Sequence, residues 1–61
     1  MELSKWILAG KLDGYKIMFV LFDFEDRSYY PVYFLSEQES KRYSENIISE
    51  SKCKIVESHS L

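Results

Sequence analysis

Cys53 and His59 are the two side chains of this sequence best suited to covalent or metal chemistry, and there is one of each. A thiol nucleophile needs a base within hydrogen-bond reach and a third group to orient that base. These two stand six positions apart, Cys53 on an expected strand and His59 in a tail, Ser58 to Leu61, that is expected to fray. Cys53 therefore reads as a small buried hydrophobe and His59 as a mobile tail residue. One Cys and one His do not close a zinc site within one chain. Asp23, Glu25 and Asp26 alternate with Phe24 in the manner of a turn, without the ligand spacing of a calcium loop. Gly10 and Gly14 make no phosphate-cradling loop. The expectation is a protein that is not an enzyme, with no catalytic residue, no metal and no cofactor.

The elements that would position any site are read as an α+β domain spanning residues 1–61: a small antiparallel sheet with one helix packed on one face, in the order β-β-β-α-β. Asp13-Gly14 is a strong two-residue hairpin signal, because a type I′ turn needs positive φ at both central positions. It would pair a first strand, Ser4 to Leu12, with a second, Tyr15 to Phe24. Trp6, Leu8, Gly10 and Leu12 then share a face with Ile17, Phe19 and Leu21, whereas Lys5, Ile7, Ala9 and Lys11 share the other with Lys16, Met18, Val20 and Phe22. After the polar turn 25–28, a third strand from Tyr29 to Leu35 adds Tyr30, Val32 and Phe34 to the first face, with Leu21 opposite Val32 and Phe19 opposite Phe34. Tyr29, Pro31 and Tyr33 join the second face; a three-residue loop would exchange the two sets. Pro31 has no N–H for a ladder, so this strand belongs at an edge or beside a bulge.

Ser36 followed by Glu39 is a capping box that opens a helix. Its buried stripe is Ser40, Tyr43, Ser44, Ile47, Ile48 and Ser51, with serines small enough to let it lie close to the sheet. Cys53 to Ser58 is a last short strand, expected beside the first and parallel to it through a right-handed crossover. The core is expected to be Trp6, Leu8, Leu12, Ile17, Phe19, Leu21, Val32, Phe34, Tyr43, Ile47 and Ile55.

Composition agrees with a folded chain: 46% of residues are hydrophobic and 16% aromatic, against the low hydrophobicity of disordered segments. Sixty-one residues bury little surface and gain from oligomerisation. Eight basic residues against ten acidic ones, a formal charge of −2, lack the surplus that phosphate binding favours, so nucleic acid is an unlikely partner class. The apolar run Ile17 to Phe22 is far too short for a bilayer. A single cysteine fits a reducing compartment, and a cytoplasmic location is expected.

A sheet with one helix covers one face. The other, carrying Ile7, Met18, Val20, Phe22, Tyr29 and Tyr33, is then the expected partner-binding surface, with Asp23, Glu25 and Asp26 as an acidic surface at one end. Four uses are open: capture of a host protein through aromatic and Met anchors; imitation of phosphates to inhibit a host nucleic-acid-processing or CRISPR enzyme; a homodimer in which two sheets pack face to face; and stacking of single-stranded nucleic acid on Tyr29, Tyr33 and Phe22, with Lys5, Lys11 and Lys16 nearby.

Met1-Glu2-Leu3, Lys5, Gly10, the Met18-Phe19 pair and a late strand holding Cys53 resemble the short Dmd antitoxins of T-even phages. That resemblance implies a small, phage-encoded, non-enzymatic inhibitor that occupies a host endoribonuclease toxin directly, in the host cytoplasm. It carries no functional residue across.

Overall fold

The computed structural model describes residues 2–50 and 52–61, and the side chains of residues 2–47 and 52–61. The chain is α+β, a three-stranded antiparallel sheet with two helices: α1 (Leu3–Leu12), β1 (Ile17–Asp23), β2 (Ser28–Phe34), α2 (Glu37–Glu50) and β3 (Cys53–Ser60). Strand order is β2-β1-β3.

The segment expected as a first strand is a helix, and the element order is α-β-β-α-β rather than β-β-β-α-β. Two physical reasons decide it. Leu3, Trp6, Ile7 and Gly10 recur at helical spacing, and these are the α1 positions turned from solvent, whereas Leu8 and Leu12 are 57% and 78% exposed. Asp13-Gly14 ends this helix instead of turning a hairpin. Gly14 has φ +83°, its N–H donates to the Lys11 carbonyl (3.2 Å), and the Tyr15 N–H donates to the Gly10 carbonyl (3.0 Å). Those two bonds form a Schellman motif, in which glycine supplies the left-handed residue and the last helical carbonyls find donors. One positive-φ glycine after an Asp serves either structure, so the dipeptide alone does not choose between them.

The β1–β2 hairpin lies where the sequence puts it, in a register two residues from the expected one: Leu21 opposes Tyr30 and Phe19 opposes Val32. A shift of two preserves the faces. Phe19, Leu21, Val32 and Phe34 remain together, as do Met18, Val20, Phe22, Tyr29, Pro31 and Tyr33.

Helix α2 covers the first set. Its Tyr43 ring lies 5.1 Å from Phe34, which meets Phe19 edge-on at 5.1 Å. Ile47 and Ser40 are buried, and the Ser40 hydroxyl donates to the Glu37 carbonyl (2.7 Å). The expected members Ile48 and Ser51 lie outside the described side chains. At the start of α2 the Ser36 Oγ accepts from the Glu39 N–H (3.3 Å) while Glu39 accepts from the Leu35 N–H (3.3 Å), a capping box reaching one residue further back than the standard form.

Helix α1 covers the second set. The Tyr33 hydroxyl donates to the Trp6 carbonyl (2.6 Å), Gly10 is packed against the Tyr33 ring, and Met18 and Val20 are fully buried. The sheet is therefore sandwiched between two helices, and the core runs through it: Met18, Phe19, Val20, Leu21, Phe34 and Ile47. Four successive buried β1 residues are the pattern of a strand covered on both sides.

Strand β3 runs antiparallel to β1, not parallel to a neighbouring first strand, since that neighbour is a helix. It reaches Ser60, and the Leu61 N–H donates to the Lys16 carbonyl (2.8 Å). The residues expected to fray are ladder residues. A bulge interrupts the pairing between Val20 and Leu21, which leaves Val56 as the extra residue on β3.

Candidate interaction site at the β1–β2 tip

The hairpin tip is built from its turn outward. Asp23 closes β1 and its Oδ1 accepts the backbone N–H groups of Glu25 (2.8 Å) and Asp26 (3.3 Å), the local bonding that makes aspartate a turn residue. Arg27 takes φ +53°, and Ser28 re-enters the sheet opposite Asp23. This leaves residues 24–27 as the loop. The Phe24 N–H reaches across to the Lys52 carbonyl (3.2 Å), tying the tip to β3.

Three rings gather here. Phe22 lies 5.7 Å from Phe24, near perpendicular at 78°, and 5.0 Å from Tyr29, tilted at 58°. Such edge and tilted contacts are favoured by the ring quadrupoles. Phe22 is half-buried beneath the pair, whereas Phe24 and Tyr29 are 49% and 46% exposed. Glu25 and Asp26 stand exposed beside them. Asp23 is half-buried with its Oδ1 engaged by the turn, so the more exposed carboxylates at the tip are those of Glu25 and Asp26.

The six residues expected to form one partner-binding face are dispersed. Ile7 is half-buried on α1 rather than beside Val20 on a strand. Met18 and Val20 lie in the protomer's own interior, because the helix that the sequence reading lacked lies over them; neither a protein partner nor a second sheet reaches them in this conformation. Tyr33 is held against α1 by its hydroxyl and stacks on Tyr15 with ring centroids 5.2 Å apart. Desolvation raises its phenol above the ordinary value, with the nearby Asp13 charge adding to the effect. Phe22 and Tyr29 alone of the six are brought together at the surface. Phe24, which completes the cluster, is the end of the expected second strand; the signal for it is a lone phenylalanine among Asp23, Glu25 and Asp26.

Elsewhere, the Tyr30 hydroxyl lies 3.2 Å from Cys53 Sγ. That hydrogen bond, with burial behind it, pushes the Tyr30 phenol well above its usual range. His59 lies on the β3 ladder beside Glu57, Nε2 to Oε1 3.5 Å, and faces Met18 across the ladder, away from Cys53 opposite Asp23. The described residues hold no group of three or more His, Cys, Asp or Glu arranged for a metal, and no described helix is long and apolar enough to cross a bilayer.

No protein-family model matches this chain, and neither the curated proteins nor the solved structures provide a match.

Proposed function

We propose that this chain is a small non-enzymatic inhibitor that binds a host protein, a defence or toxin nuclease, through the Phe22–Phe24–Tyr29 tip. The observation that carries the reading is the exposure of two large rings on a turn that its own hydrogen bonds hold in shape. Aromatic anchors on a rigid element lose little conformational freedom on binding, and such residues dominate interface energetics. Glu25 and Asp26 at the rim favour a partner whose apolar pocket is bordered by basic residues, which is the surface a nuclease offers to phosphates. The Dmd resemblance supports the same class of action, in a host cytoplasm.

The test is capture from host lysate by the tagged chain, with Phe24→Asp and Tyr29→Asp in parallel, followed by nuclease assays on whatever is retained. The reading expects a partner that wild type retains and inhibits and that both variants lose while their circular dichroism is unchanged. Equal retention by folded variants would place recognition elsewhere.

A further inference from the structure

Arg27 is the one residue other than glycine with positive φ among the described residues, at +53°. A left-handed backbone crowds Cβ against the following carbonyl, so glycine, asparagine and aspartate are its usual occupants. The turn imposes this conformation on an arginine. Asp23 pairs with Ser28 in the ladder, and Asp23 Oδ1 holds the N–H groups of Glu25 and Asp26, which leaves Arg27 to swing the chain back into β2. No contact within the described residues offsets the strain. Arg27 is exposed, and its guanidinium has neither a hydrogen bond nor an ion pair among them, although Glu25 and Asp26 stand exposed beside it. A backbone held in a sparsely populated region by its surroundings is a pointer to function.

We propose that Arg27 is the charged anchor of the tip and pairs with a carboxylate of the bound protein, beside the pocket that takes Phe24 and Tyr29, a role that rests on the tip being the recognition site. A guanidinium is a planar fork of N–H donors that meets a carboxylate or a phosphate bidentately. Glu25 and Asp26 decide between the two. Exposed carboxylates next to Arg27, on a chain of formal charge −2, repel a phosphate backbone. A folded protein can instead set a carboxylate among basic residues. A nuclease site does so, because its carboxylates serve as general base or metal ligands beside the cations that hold phosphate. On such a surface Glu25 and Asp26 meet the cations and Arg27 meets the carboxylate. Alternating signs of this kind fix the orientation of a complex and penalise other partners.

The test uses the full chain and the protein that it retains from host lysate, identified by mass spectrometry, purified and freed of nucleic acid by digestion, with Kd measured by isothermal titration. Arg27→Gly relieves the backbone, so its urea midpoint is expected at or above that of wild type, while its Kd rises by about tenfold or more. Arg27→Asn also suits the left-handed position, lacks glycine's flexibility, and should lose affinity to the same extent. Phe24→Asp, measured in parallel, reports on the tip itself. Wild-type binding by Phe24→Asp, or no retained protein, removes the tip as the recognition site and the Arg27 anchor with it. Loss with Phe24→Asp but wild-type affinity with Arg27→Gly or Arg27→Asn overturns the anchor alone. A lowered urea midpoint for Arg27→Gly makes Arg27 structural, and binding that vanishes on digestion puts a phosphate opposite it; either result also overturns the proposal.

Discussion

The Tyr33 hydroxyl donates to the Trp6 carbonyl at 2.6 Å, fastening α1 to a side chain of the sheet's edge strand β2. The same ring stacks on Tyr15 and presses against Gly10, so one residue holds the helix, the turn after it and the strand together. It is the contact through which the sheet's second face is closed.

Gly10→Ala tests that closure. A Cβ at position 10 would lie 2.6 Å from Tyr33 Cε1 and 2.7 Å from Leu61 Cδ1. Alanine in a helix interior ordinarily gains about 0.5–1 kcal/mol over glycine. Here overpacking, at about 1–3 kcal/mol, should outweigh that gain, because Tyr33 is pinned by its hydroxyl and by its stack on Tyr15. Urea unfolding should show a lower midpoint. A raised midpoint would mean that α1 does not lie on Tyr33.

Alkaline stability reports the two phenols. Tyr33 and Tyr30 both ionise above the ordinary value of 10.0 in the folded chain, so the folded state keeps protons that the unfolded state releases. Stability from this source is complete below about pH 10 and falls as pH rises towards the folded values. Tyr33→Phe should cost about 1 kcal/mol near neutrality, from the lost hydrogen bond. Its alkaline decline should be shallower, the remainder belonging to Tyr30. Denaturation midpoints across the alkaline range measure both.

Much of the fold is legible in the residues, and the largest departure has one cause. The β1–β2 pairing, the edge position of Pro31 and the Ser36–Glu39 cap rest on local signals, although the hairpin register falls two residues from the expected one. Asp13-Gly14 has two outcomes, and Leu8 and Leu12 supply enough apolar character to suit either. As a strand, that segment leaves no helix to cover Met18 and Val20, and an open face follows; as α1 it closes that face. The tip is half legible: alternation along the strands points to Phe22 and Tyr29, but the ring contact that adds Phe24 arises from the turn.

Met18 and Leu12 exchange roles between the two readings. Met18 is fully buried and Leu12 is 78% exposed. Met18→Ala should cost about 2–5 kcal/mol, and Leu12→Ala should change stability by less than about 0.5 kcal/mol. Thermal or urea unfolding of the pair gives the comparison. A large loss at Leu12 with a small one at Met18 would restore the open sheet face.

The tip should tolerate substitution in the free protein. Phe24 and Tyr29 are about half exposed, and Phe24→Asp or Tyr29→Asp should lower stability by no more than about 1.5 kcal/mol, the scale of a ring–ring contact. Unfolding curves of each variant check this before any binding experiment. A collapse of the fold would make these rings structural and remove the basis for placing recognition at the tip.

The most direct measurement is the set of nuclear Overhauser effects from the Gly10 α protons. A helix lying on the second face sets Gly10 against the Tyr33 ring, and strong cross-peaks to the Tyr33 ring protons are the predicted result. A hairpin turned at Asp13-Gly14 would set Gly10 across from Ile17 instead. Cross-peaks to Ile17 with none to Tyr33 would contradict the account.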